Sequence, residues 1–147
     1  MPNSATDDFV LGVMSATNTK TYTPVQIQKL FFILDREIPQ QINGPMFQFK
    51  PYDYGPFDFE VYNSLDRLIE RGLVFRQGDS TQKSRTYGLT HEGREAGTVT
   101  FDSSFDVEVK QYISKVAEFV SSVGFAQLVR AVYKQYPDMK VNSVFSK

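Results

Sequence analysis

The chain contains no cysteine, no tryptophan and one histidine, His91, among its 147 residues. Without cysteine there is neither a disulfide framework nor a thiolate nucleophile, and a single histidine cannot assemble the usual zinc ligand sets. Most metallohydrolase chemistry is thereby excluded. A serine-based catalytic site would have to use His91 as its base. That residue instead opens a short helix straight after a polar hairpin, an ordinary place for a polar first-turn side chain. Gly93 and Gly97 stand isolated and form no glycine-rich phosphate loop. The acid pairs Asp53/Asp58 and Asp35/Glu37 lack the spacing of a divalent-ion motif and read as solvated charge. The expectation is a non-enzymatic protein without metal or cofactor.

A surplus of one charge is also missing. Sixteen basic residues face seventeen acidic ones, giving a net charge of −1 and a pI near 5.8, whereas a dedicated nucleic-acid binder carries a basic surplus on one face. No apolar run approaches about 18 residues, and the segment MPNSATDDFV lacks the basic start and apolar stretch of a signal peptide. A soluble cytoplasmic protein with no membrane association is expected. The length suits a single domain over 1–147, since a chain of this size buries roughly 68–70% of its unfolded surface. Repeats and low-complexity tracts are absent, and a 14% aromatic content argues against extended disorder.

What the chain has in abundance is rings in one place. FQFKPYDYGPFDFEVY, residues 47–62, holds seven aromatics in sixteen residues, broken by Pro51 and the Gly55-Pro56 pair. An alternating strand over 46–50 is expected to run into a Pro- and Gly-set corner that opens a helix over 57–71. Rigid rings with polar tips suit recognition better than chemistry.

Around this corner the pattern is mostly helical. Residues 7–16 place Phe9, Val10, Val13 and Met14 on one side, with Thr6 as the N-cap. Thr23-Pro24-Val25-Gln26 carries the signature of a capping box with Pro in the first turn, and the helix it opens ends before Pro39. Its apolar positions Ile27, Leu30, Phe31 and Leu34, widened by Phe32 and Ile33, form a stripe that two neighbours must cover. Leu73-Val74-Phe75 and the segment 84–90 read as two strands of a hairpin with a polar tip. Thr90 caps a short helix over 91–97, followed by a connection. Two longer helices are expected over about 104–123 and 125–136, and a tail whose Val144 and Phe145 dock on the body. The fold class is therefore α+β, mainly α: a winged-helix core over about 7–97 with a small β-hairpin wing, and additional C-terminal helices over about 104–147.

The joined segments Gln28-Lys29-Leu30-Phe31-Phe32 with Asp35-Arg36, Phe47 through Lys50, Tyr54-Gly55-Pro56, Val61-Tyr62 with Leu65 and Leu68, Gly72-Leu73-Val74, and Tyr87-Gly88-Leu89-Thr90 with Gly93 resemble one family group. It is the SocA-like or Panacea antitoxin domain with its YwgA-like relatives, and the likeness covers about residues 24–94. The resemblance implies a non-enzymatic domain that neutralises a toxin protein by direct contact, often within two-gene toxin–antitoxin modules or on phage-like elements. The chain departs from that pattern in the Pro-Tyr-Asp-Tyr preface to Gly55-Pro56 and in its long helical C-terminus.

Two surfaces are candidates for a partner. The corner offers Lys50, Tyr52, Asp53, Tyr54, Gly55 and Phe57 as protein-contact residues, with Phe47, Phe49 and Phe59 assigned to the core. Stacking of single-stranded nucleic acid fits poorly, because one lysine in the window faces Asp53, Asp58 and Glu60. The alternative is a DNA-binding transcriptional regulator that uses the wing cations Arg76, Lys83 and Arg85. The helix such a protein would place in the major groove has the wrong sign here: Asp58, Glu60, Asp66 and Glu70 outnumber Arg67 and Arg71. The edge of the 125–136 stripe, with Tyr133 and Tyr136 between Arg130 and Lys134, is a candidate homodimer surface.

Overall fold

In a computed structural model, which describes residues 4–78 and 85–145, the chain is α+β and mainly helical, with two small antiparallel hairpins. Helix α1 runs over Ser4–Met14 and α2 over Pro24–Glu37; the hairpin strands β1 (Lys50–Tyr52) and β2 (Gly55–Phe57) precede α3 (Phe59–Glu70). A second hairpin, β3 (Val74–Gln77) and β4 (Thr86–Leu89), leads into α4 (His91–Ser104), α5 (Val107–Ser122) and α6 (Phe125–Gln135). A single 3-10 turn over Pro137–Lys140 follows. Among the described residues, no helix is long and apolar enough to cross a membrane.

Helix α2 is the organising element. Its capping box forms as its sequence demands: the Thr23 hydroxyl accepts from the Gln26 amide at 3.2 Å and the Gln26 side chain accepts from the Thr23 amide at 2.8 Å. The wide apolar stripe is covered chiefly by α5, β2 and α6. One continuous core runs from Phe9 in α1 to Met139 beyond α6, so the C-terminal helices share it. Phe31 meets Phe9 and Phe47 edge to face at 5.6 and 5.9 Å, and Phe32 meets Tyr136 at 4.9 Å.

Helices α1 and α3 are tied by an ion pair buried on its Asp7 side and half-exposed on its Arg67 side. Asp7, only 4% exposed, accepts from Ser64 Oγ at 2.6 Å and from Arg67 Nε and Nη2, each at 2.9 Å. That contact raises the Arg67 guanidinium pKa further. The β3–β4 hairpin closes with Val74 opposite Leu89 and Gln77 opposite Thr86. Tyr22, in the α1–α2 connection, adds a lone antiparallel bridge to Tyr87. Gly93 is required where α4 begins, because a Cβ there would lie 1.8 Å from the Leu73 carbonyl oxygen.

The structure differs from the sequence-based expectation at five places. Residues 46–49 form no strand: the Met46 and Phe47 amides donate to the Asp35 carboxylate, each at 2.8 Å, and the Gln48 amide donates to Asp58 at 2.7 Å. Side-chain carboxylates thus replace a ladder partner, and the strand begins at Lys50. The corner that follows is itself a hairpin rather than a single bend. Thr6 does not cap α1, which already starts at Ser4. Helix α4 continues through Thr98-Val99-Thr100 to Ser104, because Gly97 lets it approach the Leu11 backbone and Phe101 is buried against the core. Packing there overrides weak local propensity. Phe59 is 61% exposed and lies outside the core, since the Asp58 N-cap sets the start of α3 with its inward face on Val61, Tyr62 and Leu65.

Replacing Asp7 by Ala leaves Arg67 and the buried Ser64 hydroxyl without their acceptor and is expected to cost roughly 1.5–3 kcal/mol, read as a shift of the urea midpoint at pH 7. A loss below about 1 kcal/mol would place this pair with ordinary surface ion pairs.

Candidate interaction site

The β1–β2 hairpin carries the candidate contact residues on a short, tightly held frame. Lys50 pairs with Phe57 and Tyr52 with Gly55, leaving Asp53 and Tyr54 as the two-residue turn. Gly55 adopts φ +109, a conformation that strains any side chain, so the turn can close only with glycine there. Tyr52 is 52% exposed and Tyr54 42% exposed; Lys50 and Asp53 are also exposed, Phe57 is half-buried and Gly55 is buried.

The exposed rings continue into the interior. Tyr52 stacks on Phe57 at 5.1 Å with 13° between planes, Phe57 meets the Tyr62 edge at 5.6 Å, and Tyr62 lies over Tyr87 at 6.2 Å. Tyr54 packs on Phe125 of α6 at 5.3 Å, and Phe125 packs in turn on Phe145. Burial pushes the Tyr62 hydroxyl up to about 12.

A strap from the C-terminal tail fixes the hairpin from outside. The Asp53 carbonyl accepts from the Val144 amide at 2.9 Å, from Ser143 Oγ at 3.3 Å and from the Tyr133 hydroxyl at 3.5 Å. Asn142 Nδ2 donates to the Pro51 carbonyl at 3.0 Å. The tail therefore docks through the Val144 backbone and the Phe145 ring, while the Val144 side chain stays 63% exposed.

Beneath the hairpin lies a cavity of about 220 Å³ lined by Pro24, Val25, Tyr52, Tyr54, Phe57 and Tyr62, with Asp53 also on its wall and Gln28 and Lys29 from α2. Lys29 is 2% exposed, and a Cβ on Gly55 would sit 3.3 Å from its Nζ. Neither a hydrogen bond nor an ion pair engages that Nζ among the described residues. Burial alone pulls the amine down to about 7. In the sequence Lys29 stands out only within the segment that carries the family resemblance. Its one available signal was the breadth of the α2 stripe, which leaves few positions of that helix facing solvent.

The wing cations are differently placed. Arg76 is exposed and pairs with Asp66 of α3 at 3.2 Å, Arg85 is half-buried with its Nη1 3.4 Å from the Tyr87 hydroxyl, and Lys83 lies outside the described residues. On α3, Glu60 approaches Arg67 at 3.4 Å, and Asp58 caps the helix through the Glu60 amide. His91 is exposed, with Glu95 3.4 Å away. The expectation that both acid pairs are solvated charge is corrected in part: Asp35 is buried and, like Asp58, binds backbone amides, and Glu37 accepts from the Tyr136 hydroxyl at 2.6 Å, whereas Asp53 is exposed. Among the described residues, no group of three or more His, Asp or Glu side chains is placed to hold a metal ion. At the edge of α6, Tyr133 and Tyr136 are buried, leaving Phe125 as its exposed ring.

A lysine whose amine titrates near 7 when folded and near 10.5 when unfolded binds fewer protons in the native state between those values. Stability should therefore rise with pH across that window, by up to about 1.4 kcal/mol per pH unit. Lys29→Met is expected to stabilise the protein below pH 7, with a gain that is flat there and shrinks toward pH 10. Denaturant unfolding of both proteins at pH 6 and 9.5 checks this, and an equal gain at both values would mean an amine of ordinary basicity. No family model, curated protein or solved structure matches the chain, so the reading of this site rests on its own residues.

Proposed function

We propose that this chain is a cytoplasmic protein-interaction module of the antitoxin-like winged-helix type, which neutralises a partner protein by direct contact through the β1–β2 hairpin. The observation that carries the reading is the pair of half-exposed tyrosines, Tyr52 and Tyr54, on a turn held from behind by Tyr133, Asn142, Ser143 and Val144. Rings presented on a frame already ordered lose little freedom on binding, and aromatic residues of this kind dominate contact energies. The winged-helix part draws support from the order α1, α2, α3 and then a two-stranded hairpin, with Tyr22 adding a short third rung at Tyr87. The interaction part draws support from the hairpin's exposed Tyr52 and Tyr54, whose rings and hydroxyls offer shape and hydrogen bonds to a partner.

Duplex binding through the β3–β4 hairpin has less in its favour. Arg76 is engaged by Asp66, and the neighbouring α3 surface carries Glu60, Asp66 and Glu70, a sign that repels phosphate.

The reading is tested genetically and by binding. A small open reading frame beside this gene should be toxic alone and harmless when co-expressed with the chain, and Tyr54→Ala should weaken that complex by on the order of 2 kcal/mol with little change in melting temperature. Absence of any toxic neighbour together with no direct complex in purified form would remove the antitoxin role. Equal loss of binding and of thermal stability would make Tyr54 a structural residue.

A further inference from the structure

Of the polar side chains that α2 buries, Gln28, Lys29 and Asp35, Lys29 is the one without a partner among the described residues. Gln28 and Asp35 satisfy backbone groups of residues 46–58, whereas the Lys29 amine lines the cavity under Gly55 with nothing bound to it among the described residues. A buried, unpaired ammonium is costly, and a methionine of similar length would fill the same space without that cost. Its dehydration has already been met on folding, so an incoming anion would face a cation stripped of most of its water, in surroundings that strengthen attraction.

The walls narrow the ligand. Around the amine stand Pro24, Val25 and the rings of Tyr52, Tyr54, Phe57 and Tyr62, with Gln28 and Asp53 also on the wall, in a half-open, largely apolar hollow of about 220 Å³. An apolar cavity of ~150 Å³ suffices to hold benzene, so this one has room for a ring-sized group together with a small anion. One cation faces the space, and Asp53 stands on its wall. A phosphate monoester, carrying about −1.5 to −2 at neutral pH, would meet too little positive charge and one carboxylate. A carboxylate carries a single charge.

We infer that Lys29 and the aromatic cavity beneath the β1–β2 hairpin form a binding subsite for a monocarboxylate borne on a ring-sized apolar group. The amine and its cavity would take such a carboxylate whether or not the outer face of the hairpin meets a protein. A free aromatic acid and a chain end with an aromatic last residue present the same chemistry.

The groups that face the cavity or pack against it are Tyr52, Asp53 and Tyr54 from the hairpin and Tyr62 from α3. Tyr133 approaches from α6, with Lys140 Nζ 5.9 Å from its ring centre. The Lys29 amine loses its charge as pH rises through about 7, so affinity should fall with it, reaching about 30-fold weaker at pH 8.5 than at pH 6.

The test is calorimetric titration of the full chain with sodium benzoate, with the peptide Ala-Gly-Gly-Phe as free acid and as C-terminal amide, and with phenyl phosphate, at pH 6 and 8.5. Benzoate or the free-acid peptide should bind one to one at pH 6, at least tenfold more tightly than the amide or phenyl phosphate, and Lys29→Met should lose at least tenfold. Tighter binding of the peptide identifies a chain end as the source; tighter binding of benzoate identifies a free acid. The inference falls if neither carboxylate binds, if phenyl phosphate binds as well, if Lys29→Met binds equally, or if wild-type affinity is the same at both pH values. Because the pH comparison uses the unaltered protein, it decides the matter even if the variant folds poorly.

Discussion

Two buried polar side chains of α2 hold the whole stretch from Met46 to Asp58 in place. Asp35 takes the Met46 and Phe47 amides, and Gln28 both donates to the Asp58 carbonyl at 3.1 Å and accepts from the Asp58 amide at 3.0 Å. Buried backbone groups must find partners, and here helix side chains supply them where no strand does. Burial raises the Asp35 pKa while the two amides oppose the rise. The clamp fixes where the segment leaves α2 and where α3 begins, so the hairpin between these two anchor points has little choice of position.

The hairpin's outer and inner faces follow from that constraint. Outward, Tyr52 and Tyr54 remain accessible because the clamp and the tail hold the backbone, leaving the rings no deeper place to go. Inward, Gly55 passes over Lys29, with the Tyr133 ring equally close to where a Cβ would be. Two half-exposed rings and a cavity holding a buried amine thus share one small frame, and the same glycine serves the turn and the close approach.

The C-terminal helices bear on this arrangement as much as the core does. Helix α5 covers α2, and α6 brings Tyr133 and Phe125 to the hairpin turn. Arg36 lies over the Phe32 and Tyr136 rings at 5.4 and 5.1 Å and pairs with Asp138 at 2.8 Å, joining α2 to the 3-10 turn. Hydrogen bonds from residues 142–144 then close the circuit at Pro51 and Asp53.

Local physics in the sequence determined the helices, the β3–β4 hairpin and the aromatic density of the corner. The Thr23-Pro24-Val25-Gln26 cap, the 3.6-residue spacing of Leu128, Val132 and Tyr136, and the Thr90 cap each act within a few residues and need no distant partner. Tertiary structure alone decided the rest, because each remaining feature depends on residues far apart in the chain. Asp35 withdraws Met46 and Phe47 from strand pairing, the Leu11 backbone carries α4 past Gly97, and the Asp58 cap turns Phe59 to solvent. Lys29, one position from Gln28 in a helix covered by α5, β2 and α6, is enclosed only because the β1–β2 hairpin and α6 close over it.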